Sequence, residues 1–134
     1  VIGAIFRYFQ SHTSKAVLIA SIWTAFILLA CFIPGSALPE VNIPLADKWV
    51  HFIIFAGFAY LWYFTFSRVT VVNGVLLVLL SAGVGYLVEC IQGSGWVVNR
   101  SYEINDVVAD TVGGMLGVLC FHISNRIFKQ RSIS

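Results

Sequence analysis

The chain has 134 residues, 59% of them hydrophobic and 10% charged, whereas a soluble domain carries roughly 25% charged residues. With a mean hydropathy of +0.89, a soluble globular protein is excluded and an integral membrane protein is read in its place. A net charge of +2 without basic runs interleaved with aromatics argues against a nucleic-acid partner, and no alternation of the strand-barrel kind is visible.

Four apolar runs separate cleanly, at 16–33, 49–66, 69–91 and 107–128, each near the ~20 residues a helix needs to cross ~30 Å of hydrocarbon. The expected fold is therefore all-α: one domain over residues 1–134, a bundle of four transmembrane helices. Ahead of the first run, an apolar patch with Arg7, Tyr8 and His12 reads as a short interfacial helix. The first run follows Arg7 and Lys15, but its 18 apolar residues exceed the 7–15 of a signal peptide, so it reads as a retained helix. Ser21, Thr24 and Cys31 fall on about one of its faces, suited to close contact with a neighbour.

The connector 34–46 holds all three prolines together with Glu40 and Asn42, an ordered extended loop with a helix start near Pro44. Asp47, Lys48 and His51 head the second run, and Asp47 and His51, four apart, share a helical face. Only Ser67 and Arg68 separate the second run from the third, which requires an antiparallel hairpin. In the third run Gly74, Ser81, Gly85, Glu89 and Gln92 form one stripe of small, then polar, residues. The fourth run repeats the device in reverse with Asp106, Asp110, Gly113, Gly114 and Gly117, so these two stripes are expected to face each other. Cys31, Cys90 and Cys120 lie inside runs without metal spacing and read as packing residues.

Arg7, Lys15, Arg68, Arg126, Lys129 and Arg131 flank one side of the runs, while Lys48 and Arg100 flank the other. Both termini are expected in the cytoplasm. All six carboxylates, Glu40, Asp47, Glu89, Glu103, Asp106 and Asp110, then belong to the outer side or the outer half of the bilayer. Charges at the edge of hydrocarbon are costly unless paired or wetted, roughly 2.5–3.5 kcal/mol each at the bilayer centre, and their crowding there marks a polar site.

These residues resemble the VanZ-like membrane proteins, named for a glycopeptide-resistance determinant. The resemblance rests on Asp47-Lys48 with His51, Glu89-x-x-Gln92, Arg100, Asp106, Asp110-x-x-Gly113 and Gly117. It implies a multi-pass protein of the bacterial inner membrane, in a family tied to lowered susceptibility to teicoplanin and related envelope-active drugs. It supplies no reaction. Two positions depart from the family pattern: Asp110 stands where Asn is usual, and Phe55 where an aromatic hydroxyl is common.

Three functional readings compete. In the first, the outer cap binds the headgroup of a lipid or lipid-linked envelope precursor, with Lys48 and Arg100 taking phosphate or carboxylate and Asp47, Gln92 and Asp110 completing the ligand site. In the second, His51 with Glu89 or Asp106 supplies acid and base in an intramembrane enzyme, and the three together are the ligand set for a divalent metal ion. The third is an ion-coupled transporter, disfavoured by the missing inverted repeat. Against all three stands a structural alternative: Glu89, Arg100 and Asp106 form an ion-pair network that only locks helices, and function lies in a homo-oligomer or a membrane-protein partner.

Overall fold

The computed structural model describes residues 1–40 and 42–130, and over these it is all-α. Five helices follow one another: α1 Ile2–Ser11, α2 Thr13–Cys31, α3 Ala46–Tyr63, α4 Val71–Gly93 and α5 Ile104–Gln130. A single 3-10 turn, Gly35–Ala37, interrupts the connector between α2 and α3. The starts of all four long helices fall within three residues of the sequence reading: α2, α3 and α5 begin three residues early, and α4 two late, where Thr70 caps it, its hydroxyl accepting the Asn73 N–H at 3.1 Å.

Helices α2, α4 and α5 are long and apolar enough to cross a membrane, which makes this a multi-pass membrane protein. Helix α3, expected as a span as well, is not among those three. It has 18 residues, and Asp47, Lys48 and His51 at its head together with Trp49, Tyr60, Trp62 and Tyr63 lower its hydropathy. Its burial compensates: His51, Ile54, Phe55, Phe58, Ala59 and Tyr63 all point into protein, so α3 is the inner helix of the bundle.

Helix α5 packs most extensively on α3 and next on α4. Ascending positions of α3 meet ascending positions of α5, from Phe52 beside Gly113 and Ala56 beside Gly117 to Tyr63 stacked on Phe121 at 4.4 Å, so the two run parallel. Helix α4 runs antiparallel to both, with Gly85 against Asp110 and Ser81 against Gly114. The expected meeting of two small-residue stripes is thus divided: Gly114 and Asp110 face α4, whereas Gly113 and Gly117 bring the α3 backbone close. A side-chain carbon at Gly113 or Gly117 would collide with the carbonyl of Phe52 or Ala56.

At one end of the bundle α1 lies across the helices. Its Phe6 is buried on Phe64, Phe121 and Phe128, and Gln10 donates to Asn125 at 2.9 Å. Tyr63 donates its hydroxyl proton to the Thr70 carbonyl at 2.6 Å and accepts from His122 Nε2 at 2.8 Å, so His122 and Asn125 satisfy each a partner inside the chain. Arg7, Lys15, Arg68, Arg126 and Lys129 belong to this end; Arg131 lies outside the described residues. The acids gather at the opposite end.

Candidate functional site

The acid end is assembled from helix termini. The last carbonyls of a helix have no partner within it, and for α2 the Cys31 carbonyl receives the Gln92 Nε2 donor at 2.5 Å and an Arg100 guanidinium N–H at 3.3 Å. The N-terminus of α5 is tied in a complementary way. Glu89, near the end of α4, accepts the N–H of Glu103 at 2.8 Å, which fixes the chain just before α5 begins. Glycine is needed at one further point: Gly35 donates its N–H to the Val98 carbonyl at 2.9 Å, and any side chain there would run into the Asn99 carbonyl. The two connectors of this end are thereby joined over the helix ends.

Within that frame α3, α4 and α5 bring a histidine and three acids together. His51 Nδ1 lies 2.9 Å from Asp110 Oδ1, and His51 Nε2 lies 3.5 Å from Asp106 Oδ2. One ligand atom from each of His51, Glu89 and Asp106 falls within 4.8 Å of the others. All are removed from solvent: Glu89 and Asp110 are 0% exposed, His51 5% and Asp106 6%. Three oxygens in the cluster, Glu89 Oε1, Asp106 Oδ1 and Asp110 Oδ2, are buried with no hydrogen-bond partner among the described residues, and of these Asp106 Oδ1 meets the Lys48 ammonium as an ion pair, which leaves the other two. Burying a carboxylate oxygen unpaired costs several kcal/mol in general, so these two mark where a cation or a donor is wanted.

Lys48 sits at the edge of the cluster with its ammonium already committed. It contacts Asp47 at 2.6 Å and both Glu103 and Asp106 at 2.5 Å. Lys48, expected as a cation for an anionic ligand, is ion-paired with three acids of its own chain. Asp47, expected in the ligand site, is half-exposed, contacts Lys48 and lines the cavity beside the cluster. Gln92, also expected there, donates from Nε2 to the Cys31 carbonyl. Arg100 forms no ion pair with Glu89 or Asp106 among the described residues, so the helix-locking network expected of those three is not what holds the bundle. Its Nε is buried and has no partner there.

A cavity of about 460 Å³ opens beside the cluster. Its walls are chiefly apolar, from Ile33 of the connector through Leu38, Pro39 and Ile43 to Val50 and Ile54 of α3, while Asp47, His51 and Arg100 supply its polar part. Sequence reasoning missed this wall, because nothing in the connector beyond its three prolines indicates that it folds back over α3. It also missed the Cys31 carbonyl, a backbone acceptor that no side-chain pattern can show.

A helical membrane protein with a buried carboxylate and histidine cluster at one end of its bundle is the class that this architecture defines. The chain belongs to the VanZ/LLP1 family, whose family model matches residues 3–125. No curated protein and no solved structure matches it.

Proposed function

We propose that the protein binds the anionic headgroup of a lipid or lipid-linked envelope precursor at the polar part of this cavity, with the apolar portion of the ligand along the connector and α3. The observation that carries this reading is Arg100: a guanidinium whose buried Nε has no partner among the described residues, beside an apolar cavity. Arginine presents a planar fork of donors suited to phosphate or carboxylate, and here it is the cation with capacity left, since Lys48 is occupied. An apolar slot with few placed polar groups is the usual form of a small-ligand site.

In this reading α3 is a fourth span, because it runs parallel to α5 from Phe52 to Tyr63, and both termini lie in the cytoplasm of a bacterial inner membrane with the acid end outside. The basic residues of the α1 end support that orientation. A family tied to glycopeptide susceptibility accords with an envelope-lipid ligand, without making this chain a resistance factor.

The test uses the full chain in nanodiscs of neutral lipid, titrated with a polyisoprenyl phosphate and, in parallel, with the corresponding uncharged polyisoprenol. Saturable binding of the phosphate, weakened about tenfold or more by Arg100→Ala (a charge-assisted contact is worth ~1.5–3 kcal/mol), is the expected result. Equal binding of phosphate and alcohol, or no effect of Arg100→Ala, overturns it. A second reading, an intramembrane enzyme acting on the same ligand, is favoured by the convergence of His51, Glu89 and Asp106; it requires that Glu89→Gln abolish turnover of that lipid while the variant still binds it.

A further inference from the structure

We infer that His51, Glu89 and Asp106 form a binding site for one divalent transition-metal ion of the Zn²⁺ or Mn²⁺ class. Three independent features converge on it. The first is geometric: one histidine nitrogen and two carboxylate oxygens from three different helices lie within 4.8 Å of one another, so modest closure would place all three around an ion at the ~2.0–2.2 Å typical of such ligands.

The second is the direction of the imidazole. Asp110 Oδ1 lies 2.9 Å from His51 Nδ1; in the neutral imidazole that carries its proton on Nδ1, this contact leaves the Nε2 lone pair turned toward Asp106 Oδ2 at 3.5 Å. Two electron-pair donors then face each other, at a distance longer than the ~2.7–2.9 Å of a charge-assisted hydrogen bond. A carboxylate orienting a histidine from behind in this way is the usual outer support of a metal ligand. The Asp at position 110 is thus the residue that sets which nitrogen is free.

The third is a buried carboxylate oxygen for which the described residues supply no N–H donor. Glu89 uses Oε2 on the Glu103 N–H, while its Oε1 is buried without a hydrogen-bond partner among the described residues in a side chain that is 0% exposed. The charges around it leave room for a dication. Asp106, Asp110 and Glu89 face His51, and the nearest fixed positive charge, Lys48, is shared between Asp106, Asp47 and Glu103. A second acidic grouping, Asp47, Glu103 and Asp106, is disqualified on the same ground: the Lys48 ammonium touches all three. One nitrogen and two oxygens suit Zn²⁺ or Mn²⁺ better than Ca²⁺ or a thiolate-seeking ion.

The experiment strips the full chain with chelator in nanodiscs and titrates it separately with Zn²⁺ and with Mn²⁺, reading heat and bound metal. About one ion per chain is expected, lost in Glu89→Gln and in His51→Gln, weakened about 10–100-fold in Asp110→Asn, and retained in Asp47→Asn. Arg100→Ala, the variant that tests the lipid cavity, should keep its metal, so the two proposals fail separately. Absence of stoichiometric binding of either ion to the folded wild-type chain overturns the inference, as does binding that survives both Glu89→Gln and His51→Gln. Should a variant not fold, X-ray absorption on the wild-type chain decides: imidazole scattering at the bound metal supports the site, and an all-oxygen shell overturns it.

Discussion

Gly85→Ala, set beside Gly83→Ala, asks whether the packing of α4 on α5 holds the acid cluster in place. The two changes are chemically identical and two residues apart in the same helix. At Gly83 an added methyl meets nothing within 4 Å, so replacing glycine should be neutral or stabilise by up to about 1 kcal/mol through helix propensity. At Gly85 the same methyl meets the Asp110 side chain, with Cβ at 2.9 Å and Cγ at 3.0 Å, where ordinary contact begins at 3.4 Å. The overlap of about half an ångström falls on a carbon attached to the α5 backbone, so either α5 shifts or Asp110 turns from His51. Overpacking of this kind costs about 1–3 kcal/mol, and the difference between the variants isolates it from helix propensity. Reversible unfolding in mixed detergent reads the stability, and the imidazole resonances of His51 report whether Asp110 still holds Nδ1. Two variants alike within about 0.5 kcal/mol, with unchanged His51 signals, would refute the reasoning that α4 presses Asp110 into the cluster.

At the opposite end, Tyr63→Phe keeps the stack on Phe121 and removes the hydroxyl shared by Thr70 and His122. A loss of about 0.5–1.5 kcal/mol is expected, measured by the same unfolding assay, with no change in metal or lipid binding. Topology is read with single cysteines in a background lacking Cys31, Cys90 and Cys120. An impermeant thiol reagent added to whole cells should label a cysteine at exposed Ser94 and spare one at exposed Ser67; the reverse pattern inverts the orientation, and equal labelling removes α4 as a span.

How much of this was legible in the sequence depended on whether a feature was set by one helix or by several. The stripe ending in Glu89 and Gln92 and the one beginning at Asp106 and Asp110 could be read because helical spacing alone puts each set on a face, and the bundle brings their ends together with His51. The allocation of the glycines could not be read. Gly113 and Gly117 lie about 40° apart around α5, and Gly114 about 100° from Gly113, so one apparent stripe serves two neighbours, α3 and α4. Nor could the sequence choose between Lys48 and Arg100 as the available cation. Lys48 comes to rest among three acids because α5 brings Asp106 to it beside its neighbour Asp47 and the 94–103 connector carries Glu103 back over α3. Helix packing and loop conformation made that choice together, and loop residues show no period from which to infer their part.

The one long helix that is not among the three apolar enough to cross a membrane thereby becomes the one on which the site depends. Asp47, Lys48 and His51 are poor candidates for an apolar environment on their own, since ionisable groups near hydrocarbon are costly when unpaired. Helix α5 answers each of them along one line of contact: Asp106 takes Lys48, Asp110 takes His51, and Gly113 and Gly117 then let the α3 backbone approach. Tyr63 stacked on Phe121 closes the same line at the far end. The contacts that make α3 tolerable in the bundle are therefore the contacts that build the cluster. A change that loosens α3 from α5 should remove the site and the helix together, whereas Glu89, held from α4 through the Glu103 N–H, can be altered without parting α3 from α5.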